Sequence, residues 1–274
     1  MLPSSEFADR FEFHHMSERP LYQACPNWLI DRCELRPTSS VVDLGCGSGL
    51  VTRELLRRFP VAPQLRIFAI DPSEFELGIA RSLIHDPRVE FLQAHAQEAV
   101  DRISDADAVI FCNVMHQIPR SDRAGLIGSV LLLLRHGGTF SFNTLFYDGA
   151  VLAETKPFYL AWMKEARAYL RALGIAMQIP REIGVARQTL TAEEQHEMVA
   201  AAGFRVVERE EVRFDWALED WEALSRYSVF IRGALGPVGL ETGSAALIHG
   251  VRRAYEKLGL TTVPRRWFHL AAKR

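Results

Sequence analysis

One short run, Val-Val-Asp-Leu-Gly-Cys-Gly-Ser-Gly at 41–49, constrains the fold of this chain more than any other feature. Its apolar start predicts a buried strand that ends at Asp43. Three glycines follow, and glycine allows positive φ angles or the close approach of a ligand to the main chain. The next segment is amphipathic, with Val51, Leu55 and Phe59 on one face, and a helix beginning there presents unpaired N–H groups. We therefore predict a nucleotide pocket at the carboxyl end of the first strand of an open α/β sheet.

The spacing of the glycines argues against two common phosphate-binding motifs. A G-x-G-x-x-G dinucleotide motif needs a further glycine at position 50 or 52, where the chain has Leu50 and Thr52. A phosphate loop needs Gly-Lys-Ser/Thr after the glycines, and no such sequence follows. The pattern that remains is acid-x-Gly-x-Gly-x-Gly from Asp43 to Gly49. It disfavours NAD and FAD as the nucleotide.

A second acid ends the next predicted strand. The largely apolar run 65–70 leads to Asp71 and Pro72. An acid at the end of strand two, roughly 20 residues past the glycines, can accept hydrogen bonds from both ribose hydroxyls. The same Asp-Pro-Ser sequence could simply cap the helix that we predict over 74–84. Both roles stay open for Asp71.

This combination of acids and glycines resembles the class I S-adenosylmethionine (SAM)-dependent methyltransferases over residues 38–145. The resemblance implies that Asp43 faces the charged amino acid part of SAM, and that S-adenosylhomocysteine is the product. Many relatives have Gly-Asp-Ala where this chain has Ala94-His95-Ala96, and a neutral imidazole of His95 can still accept the hydrogen bond from adenine. The cofactor-binding residues that we predict are Asp43, Gly45, Cys46, Gly47, Gly49, Asp71, Pro72, His95, Ala96 and Asn113.

Strands and helices alternate along the chain, which is typical of an α/β protein with a parallel, doubly wound sheet. The resemblance implies a Rossmann-like, mostly parallel sheet of seven strands with the last pair antiparallel, and a helical cap. We predict strands near 41–44, 65–70, 89–92, 107–112, 139–145, 206–215 and 267–272, and helices near 48–58, 74–84, 120–135 and 155–173. A helix capped by Thr191 and closed by Gly203, and two helices around Gly236-Pro237 within 218–258, complete the prediction.

The predicted elements divide the chain into a core and additions to it. We assign 38–145, 188–215 and 262–274 to the SAM-binding core. The remaining segments, 1–37, 146–187 and 216–261, form a helical arm and cap on the substrate side, because a lid shelters reactive species from water. The alternative is that these apolar helices only cover the sheet or pair two copies of the chain, and a homodimer is compatible with the sequence.

Composition sets limits on partners and location. The 274 residues carry a formal net charge of −2, and no stripe of lysine or arginine suggests a nucleic-acid partner. The longest apolar runs are far shorter than the ~20 residues of a membrane span, and no secretory signal is evident. The cysteines, Cys25, Cys33, Cys46 and Cys112, form no C-x-x-C pair. We therefore expect reduced thiols, a cytoplasmic location, no membrane or nucleic-acid partner and no metal.

The catalytic residues that we predict are three histidines, because histidine titrates near neutral pH and is the commonest general base. His116 follows strand four, where the loop should look into the pocket, although it could instead only cap that loop. His14 and His15 lie in the N-terminal arm, where a surface pair is the alternative; Tyr22 and Tyr147 are further candidates.

The resemblance implies methyl transfer to carbon or oxygen of a small apolar or aromatic metabolite, such as a quinone-like or secondary metabolite. An enzyme that binds SAM without methylating, for a cyclisation or rearrangement, is the main alternative, because its binding motifs would look the same. A non-catalytic partner subunit is disfavoured by the retention of Asp43, Asp71 and all three glycines. RNA or protein methylation is disfavoured by the absent basic surface and by Cys112-Asn113-Val114-Met115 in place of an Asn-Pro-Pro-Tyr-like motif.

Overall fold

A computed structural model of the chain describes residues 14–175 and 188–274, and the side chains of His14 and His15 lie outside this description. Its main feature is a seven-stranded sheet in the order β3-β2-β1-β4-β5-β7-β6. The strands are β1 Ser40–Leu44, β2 Arg66–Asp71, β3 Val89–Gln93, β4 Ala106–Cys112, β5 Leu134–Thr144, β6 Arg205–Trp216 and β7 Val263–Lys273.

Helices connect and flank these strands. In chain order they are α1 His14–Ser17, α2 Pro20–Gln23, α3 Cys25–Asp31, α4 Leu50–Arg58, α5 Glu74–Leu83, α6 Ala96–Ala99, α7 Arg123–Leu133, α8 Lys156–Ala172, α9 Ala192–Ala201, α10 Leu218–Leu224, α11 Ser228–Leu235 and α12 Leu240–Leu258. Short 3₁₀ turns lie at Met115–Gln117 and Ala153–Thr155.

The sheet is mostly parallel, as predicted. β1 pairs in parallel with β2 on one side and β4 on the other, and β5 continues this direction. β7 runs antiparallel to β5, with Thr144 opposite Phe268. The predicted Rossmann-like, doubly wound sheet is therefore confirmed. The strand order reverses between β1 and β4, and such a switch point opens a crevice at the carboxyl ends of the strands.

Local sequence signals explain where several helices begin. Ser73 caps α5, because its hydroxyl accepts a hydrogen bond from the Glu76 N–H at 3.3 Å. Thr191 and Glu194 form the predicted capping box of α9, in which each side chain accepts from the other residue's backbone N–H, at 3.0 and 2.8 Å. Gly203, just after α9, has a φ of 103°, which suits glycine at the end of a helix.

The structure corrects the prediction of two helices within 218–258, because three are present there. The additional break falls after α10, where the Ser225 hydroxyl donates to the Trp221 carbonyl at 2.7 Å. Tyr227 then takes an extended backbone conformation before α11 begins. Short polar side chains that bond to the backbone compete with helix continuation, and the apolar pattern alone does not reveal this break. β7 also begins earlier than predicted, at Val263 rather than at Trp267.

The chain forms two compact units. One contains most of the sheet and comprises 23–148, 189–212 and 267–274; α3 groups with it. The other comprises the described parts of 1–22 and 149–188 together with 213–266, and it is mainly helical. None of the helices in the described ranges has the length and apolar character that a membrane-spanning helix requires. The role of the helical unit as a substrate cap stays a prediction.

The helical unit is built on close packing of α8 against α12. The Trp162 indole N–H donates to the Leu247 carbonyl at 2.8 Å. At Gly250, a Cβ atom would lie 2.7 Å from the Trp162 carbonyl oxygen and 2.8 Å from the Ala166 nitrogen. Only glycine lets the two backbones approach this closely.

A buried histidine in the sheet unit predicts acid sensitivity. His269 on β7 is 1% exposed, lies against the Trp28 ring at 4.8 Å, and neither ring nitrogen has a hydrogen-bond partner in the described structure. Burial, and to a lesser degree the charge of Arg32, lowers the pKa of His269 from 6.5 to about 4. Between these pH values the unfolded chain binds the extra proton, so the free energy of unfolding should fall as pH drops from 6.5 to 4.

We expect His269→Leu to reduce this loss. At pH 4.5 the histidine should account for about 2 kcal/mol of the stability difference from pH 7. Urea unfolding of the wild type and His269→Leu at both pH values measures the effect. His136→Leu, on an exposed part of β5, is the control and should leave the acid sensitivity unchanged. Equal pH dependence of wild type and His269→Leu would contradict the assignment.

Candidate active site at the carboxyl edge of the sheet

Asp43 lies near the carboxyl end of β1 and is 0% exposed. Its Oδ2 atom accepts two hydrogen bonds from Thr52, from the N–H at 3.0 Å and from the hydroxyl at 2.7 Å. Its Oδ1 atom is buried and has no partner in the described structure. Burial raises the pKa of Asp43 to about 7, against the lowering effect of the two bonds from Thr52. A buried carboxylate oxygen without a donor is well suited to a cationic ligand.

The turn after β1 requires its glycines. Gly45, Gly47 and Gly49 have φ angles of 66°, 51° and 86°, which L-residues with a side chain rarely adopt. A Cβ on Gly45 would lie 2.8 Å from Val114 Cγ2, and one on Gly49 would lie 2.6 Å from Ile84 Cδ1. The turn is therefore packed directly against the loop that follows β4.

Asp71, the last residue of β2, holds the same turn. Its Oδ2 accepts from the Gly47 N–H at 2.9 Å and its Oδ1 from the Ser73 N–H at 2.8 Å. Burial raises the pKa of Asp71, and these backbone bonds oppose that rise. The carboxylate of Asp71 thus stabilises the turn. Each of its oxygens can accept a further hydrogen bond, so a ligand can bind there as well. Capping and ligand binding are compatible roles for Asp71.

Three carboxylates surround the glycine turn, and their charge indicates the kind of ligand. Burial raises the pKa of the Cys46 thiol well above its usual range, and the nearby charges of Asp43, Asp71 and Glu76 add to this effect. Glu76 is 8% exposed, and its Oε2 lies 3.8 Å from where a Cβ on Gly47 would be. Such a turn repels phosphate and attracts a positively charged group.

The segment after β3 reaches the same edge. The Ala94 N–H donates to the Asp71 carbonyl at 3.3 Å, and Gln93 Nε2 donates to the Pro72 carbonyl at 3.2 Å. His95 is exposed, Ala96 is buried, and the His95 N–H donates to the Glu98 carboxylate at 2.8 Å. The imidazole of His95 is therefore accessible to a ligand at this edge.

Asn113 occupies the turn after β4 with a φ of 56°, an angle that asparagine tolerates better than most residues. Its N–H donates to Asn143 Oδ1 at 2.8 Å, and its own Oδ1 accepts from the Leu145 N–H at 2.9 Å. Asn143 Nδ2 in turn donates to Cys25 Sγ at 3.1 Å. The Asn113 side chain is thus bound to the end of β5. If Asn113 contacts the cofactor as predicted, the contact would be made by its backbone.

Among the predicted bases, His116 lies in the 3₁₀ turn after β4, is 3% exposed, and packs on the Phe146 ring at 4.2 Å. The Tyr147 hydroxyl donates to Glu211 at 2.6 Å. His14 and His15 lie in α1, and their side chains are outside the described structure. Tyr22 is buried beside Trp216, at 6.2 Å between ring centroids.

The prediction missed two residues of this site. Thr52 binds one oxygen of Asp43, and Glu76 contributes the third carboxylate. The available signals are a polar residue nine positions after the strand-end acid, and an acid in the first turn of α5. All four cysteines are free thiols. Among the described side chains, no group of three or more His, Cys, Asp and Glu residues is placed to hold a metal ion.

Residues 41–138 match the family model described as a methyltransferase domain. That match covers β1 from Val41 onward, β2, β3, β4 and the first part of β5, and it includes the glycine turn and both acids described above. Residues 41–138 are therefore similar to a methyltransferase domain, in agreement with the resemblance to the class I SAM-dependent methyltransferases.

Two curated relatives are similar over the same region. A ubiquinone biosynthesis O-methyltransferase of Acinetobacter baumannii is 28% identical over 138 residues, which cover 48% of this chain and 55% of the relative. A trans-aconitate 2-methyltransferase of Azoarcus sp. is 35% identical over 115 residues, or 42% of each chain. The chain therefore spans about half the length of these relatives.

A solved structure extends the likeness of fold to nearly the whole chain. The cyclopropane synthase MmaA2 of Mycobacterium tuberculosis superimposes with a TM-score of 0.60 at 15% identity, covering 99% of this chain and 95% of the other. At this identity the match establishes the fold and leaves the reaction to be argued from the site.

Proposed function

We propose that this protein transfers the methyl group of SAM to carbon or oxygen of a small apolar or aromatic acceptor. The observation that carries the proposal is the buried Oδ1 of Asp43, for which the described residues provide no hydrogen-bond partner, beside a glycine turn with three carboxylates. SAM carries a sulfonium and an ammonium group, so its charge complements this turn. The relatives' printed names, for ubiquinone biosynthesis and trans-aconitate, support a small-molecule acceptor.

Different residues of the site would bind different parts of SAM. Asp43 would accept the ammonium of its amino acid part, and Asp71 would accept from the ribose hydroxyls. The turn at Gly45, Gly47 and Gly49, with Cys46, would lie against the adenosine, since glycine allows a ligand to approach the main chain closely. Pro72, His95 and Ala96 would flank the adenine, and the backbone of Asn113 would close the β4 side. When bound, SAM supplies an electrophilic methyl group.

The chain's own contribution to the reaction would be positioning and proton removal. Holding the acceptor in line with the bond to the methyl group can lower the barrier by several kcal/mol. His116, buried after β4, would accept the proton of a hydroxyl acceptor. His14 and His15 remain candidates for the same task from the N-terminal segment.

Product mass tests the proposal. The full chain, SAM and a panel of phenolic, quinone-like and carboxylate acceptors should yield a product heavier by about 14 Da, the mass of one CH₂, together with S-adenosylhomocysteine. Calorimetry without acceptor should show saturable SAM binding. If the protein does not bind SAM, the proposal is wrong.

A second function, cyclisation or rearrangement with SAM bound, is favoured by one observation. A solved structure named a [4+2]-cyclase shares this fold, with a TM-score of 0.54 at 18% identity, so the fold serves more than simple methyl transfer. The same mass measurement separates the two reactions, because an isomerised product of unchanged mass would support the second function and exclude the first for that substrate.

We expect His116→Ala to lower turnover by about a hundredfold while SAM affinity changes less than threefold, because general-base catalysis contributes about 10²–10⁴-fold. Single-turnover rates and calorimetric affinities measure the two effects. His136→Ala, at an exposed position on β5, is the control. Normal turnover of His116→Ala would leave the residue a packing role against Phe146.

A further inference from the structure

Two free thiols of the sheet unit, those of Cys25 and Cys112, meet at one side chain. Cys25 begins α3, and Cys112 ends β4. The Asn143 side chain donates from Nδ2 to Cys25 Sγ at 3.1 Å. Asn143 is also the residue of β5 that pairs with Cys112 in the sheet. Paired residues project from the same face of strands that lie about 4.8 Å apart, so both thiols flank the Asn143 side chain on one face.

Packing and electrostatics bring the two thiols into contact. Cys112 packs against a buried apolar cluster that includes Leu29 and Ile30 of α3. Burial raises the pKa of Cys25 well above its usual range, and a hydrogen bond between the Cys25 and Cys112 thiols raises it further. A disulfide joins residues whose Cα atoms are roughly 4.4–6.8 Å apart, so it forms most readily between side chains that already touch.

The other two thiols have different partners. The Cys33 thiol donates to the Leu29 carbonyl at 3.1 Å, and the Cys46 thiol donates to the Gly47 carbonyl at 3.6 Å. Cys25, Cys33 and Cys46 are buried, whereas Cys112 is only half-buried. Among the four cysteines, Cys112 is therefore the one that a small oxidant reaches first.

This difference in exposure gives each thiol its own step in an oxidation by hydrogen peroxide. The Cys112 thiolate attacks the O–O bond and becomes a sulfenic acid, and the released hydroxide takes up the thiol proton to give water. The Cys25 sulfur then attacks the Cys112 sulfur, which forms the S–S bond and expels hydroxide; this leaves as water with the Cys25 proton. Two thiols are oxidised by one electron each, and one peroxide is reduced to two waters.

We propose that Cys25 and Cys112 are a reversible oxidation site, at which peroxide converts two touching thiols into a disulfide between α3 and β4. Asn143 connects this site to the candidate active site, because its Oδ1 accepts from the Asn113 N–H at 2.8 Å in the turn before His116. The disulfide removes the Cys25 thiol from Asn143 Nδ2 and leaves a buried donor without its partner. Oxidation should therefore disturb this turn and lower turnover.

Peptide mapping of the full chain after a small excess of hydrogen peroxide tests the disulfide. Trypsin, which does not cut before proline, places Cys25 in peptide 11–32, Cys112 in peptide 103–120, and Cys33 with Cys46 in peptide 33–53. The first two peptides should be recovered as one species, about 2 Da lighter than their sum because two hydrogen atoms are lost. Dithiothreitol should separate them. Free thiols in the denatured protein should fall from four to two.

Serine variants separate the two steps. Cys112→Ser should form no disulfide. Cys25→Ser leaves the Cys112 sulfenic acid without a second thiol, so dimedone, which labels sulfenic acids, should modify Cys112 at least about fivefold more in this variant than in the wild type. Cys33→Ser, which removes another buried thiol, is the matched control and should form the disulfide as the wild type does. Circular dichroism spectra establish that each variant is folded.

Unlinked recovery of peptides 11–32 and 103–120, or a link through peptide 33–53 instead, would overturn the oxidation site. The effect on turnover rests on the proposed function and is measured separately. The disulfide form should turn over at least about threefold more slowly than the reduced form, with recovery in dithiothreitol. An equal rate, or the same loss in Cys112→Ser, would overturn this effect. If the chain neither binds SAM nor methylates an acceptor, the proposed function fails, and the peptide map still decides the disulfide.

Discussion

Replacing Asp43 with asparagine is expected to weaken SAM binding by at least about a hundredfold without lowering the thermal stability of the protein. The asparagine oxygen can still accept from Thr52, so the turn keeps its anchor. The amide nitrogen then replaces the unpartnered Oδ1 and turns a donor toward the ammonium of SAM. The buried carboxylate costs stability when ionised, because its folded pKa is raised to about 7. Calorimetry and thermal unfolding measure both quantities.

The pH dependence of binding gives the same prediction a second measurement. A carboxyl whose pKa is raised to about 7 is protonated below that pH, and the neutral form does not attract a cation. SAM affinity of the wild type should therefore fall up to about tenfold for each pH unit below 7 and level off above it. Asp43→Asn should show no such slope.

Asp107→Asn is the matched control for Asp43. Asp107 also binds the sheet backbone, accepting from the Ser40 N–H at 2.8 Å, and it pairs with Arg135 at 2.7 Å. It lies near the start of β4, at the opposite edge of the sheet from Asp43. Its substitution should leave SAM affinity within twofold of the wild type. A comparable loss in both variants would show that the effect at Asp43 is general damage to the sheet.

Replacing Gly250 with alanine is expected to destabilise the helical unit by about 2 kcal/mol. The new methyl group would meet backbone atoms of α8 at 2.7 and 2.8 Å, and these cannot rotate away as a side chain could. Overpacking of this kind costs about 1–3 kcal/mol or more, while alanine regains up to about 1 kcal/mol of helix propensity. Thermal unfolding measures the net loss, and hydrogen exchange locates it at α8 and α12.

Gly125→Ala in α7 is the control for Gly250. Beyond its own helix, the described residues place no atom within 4 Å of the added Cβ, so only the gain in helix propensity remains and stability should rise by up to about 1 kcal/mol. A rise in stability for both variants would show that α8 and α12 separate easily, and that the close approach at Gly250 is not required.

The sheet and the cofactor side of the site follow from local sequence because each signal there spans few residues. Glycines, acids and strands come in one short order, so Asp43, the glycine turn and Asp71 are predicted together and lie together. Contacts between residues in different loops are harder to predict. Val114, after β4, lies so close to Gly45, after β1, that a Cβ on Gly45 would clash with it. The apolar pattern of the sequence does not distinguish this contact from ordinary packing.

The packing of one arginine among three aromatic side chains could not be predicted from the sequence; these residues are Tyr159, Trp216, Trp221 and Arg265. They come from α8, the end of β6, α10 and β7, and no spacing relates residues 159, 216, 221 and 265. An isolated arginine in a strand and single aromatic residues on helices are typical of surfaces and cores alike. Only the fold shows that the guanidinium is buried beside the two indole rings.

The course of β6 and β7 has a consequence for protein engineering. Each strand passes from one compact unit to the other partway along its length, between Val212 and Arg213 and between Arg266 and Trp267. A chimera that borrows the helical half of a homologue therefore cannot be joined at loops alone, as is usual for inserted domains. Its crossover points should fall within these two strands. The donor sequence must keep the same alternation of side chains there, because a shift of one residue would place each side chain on the opposite face of the sheet.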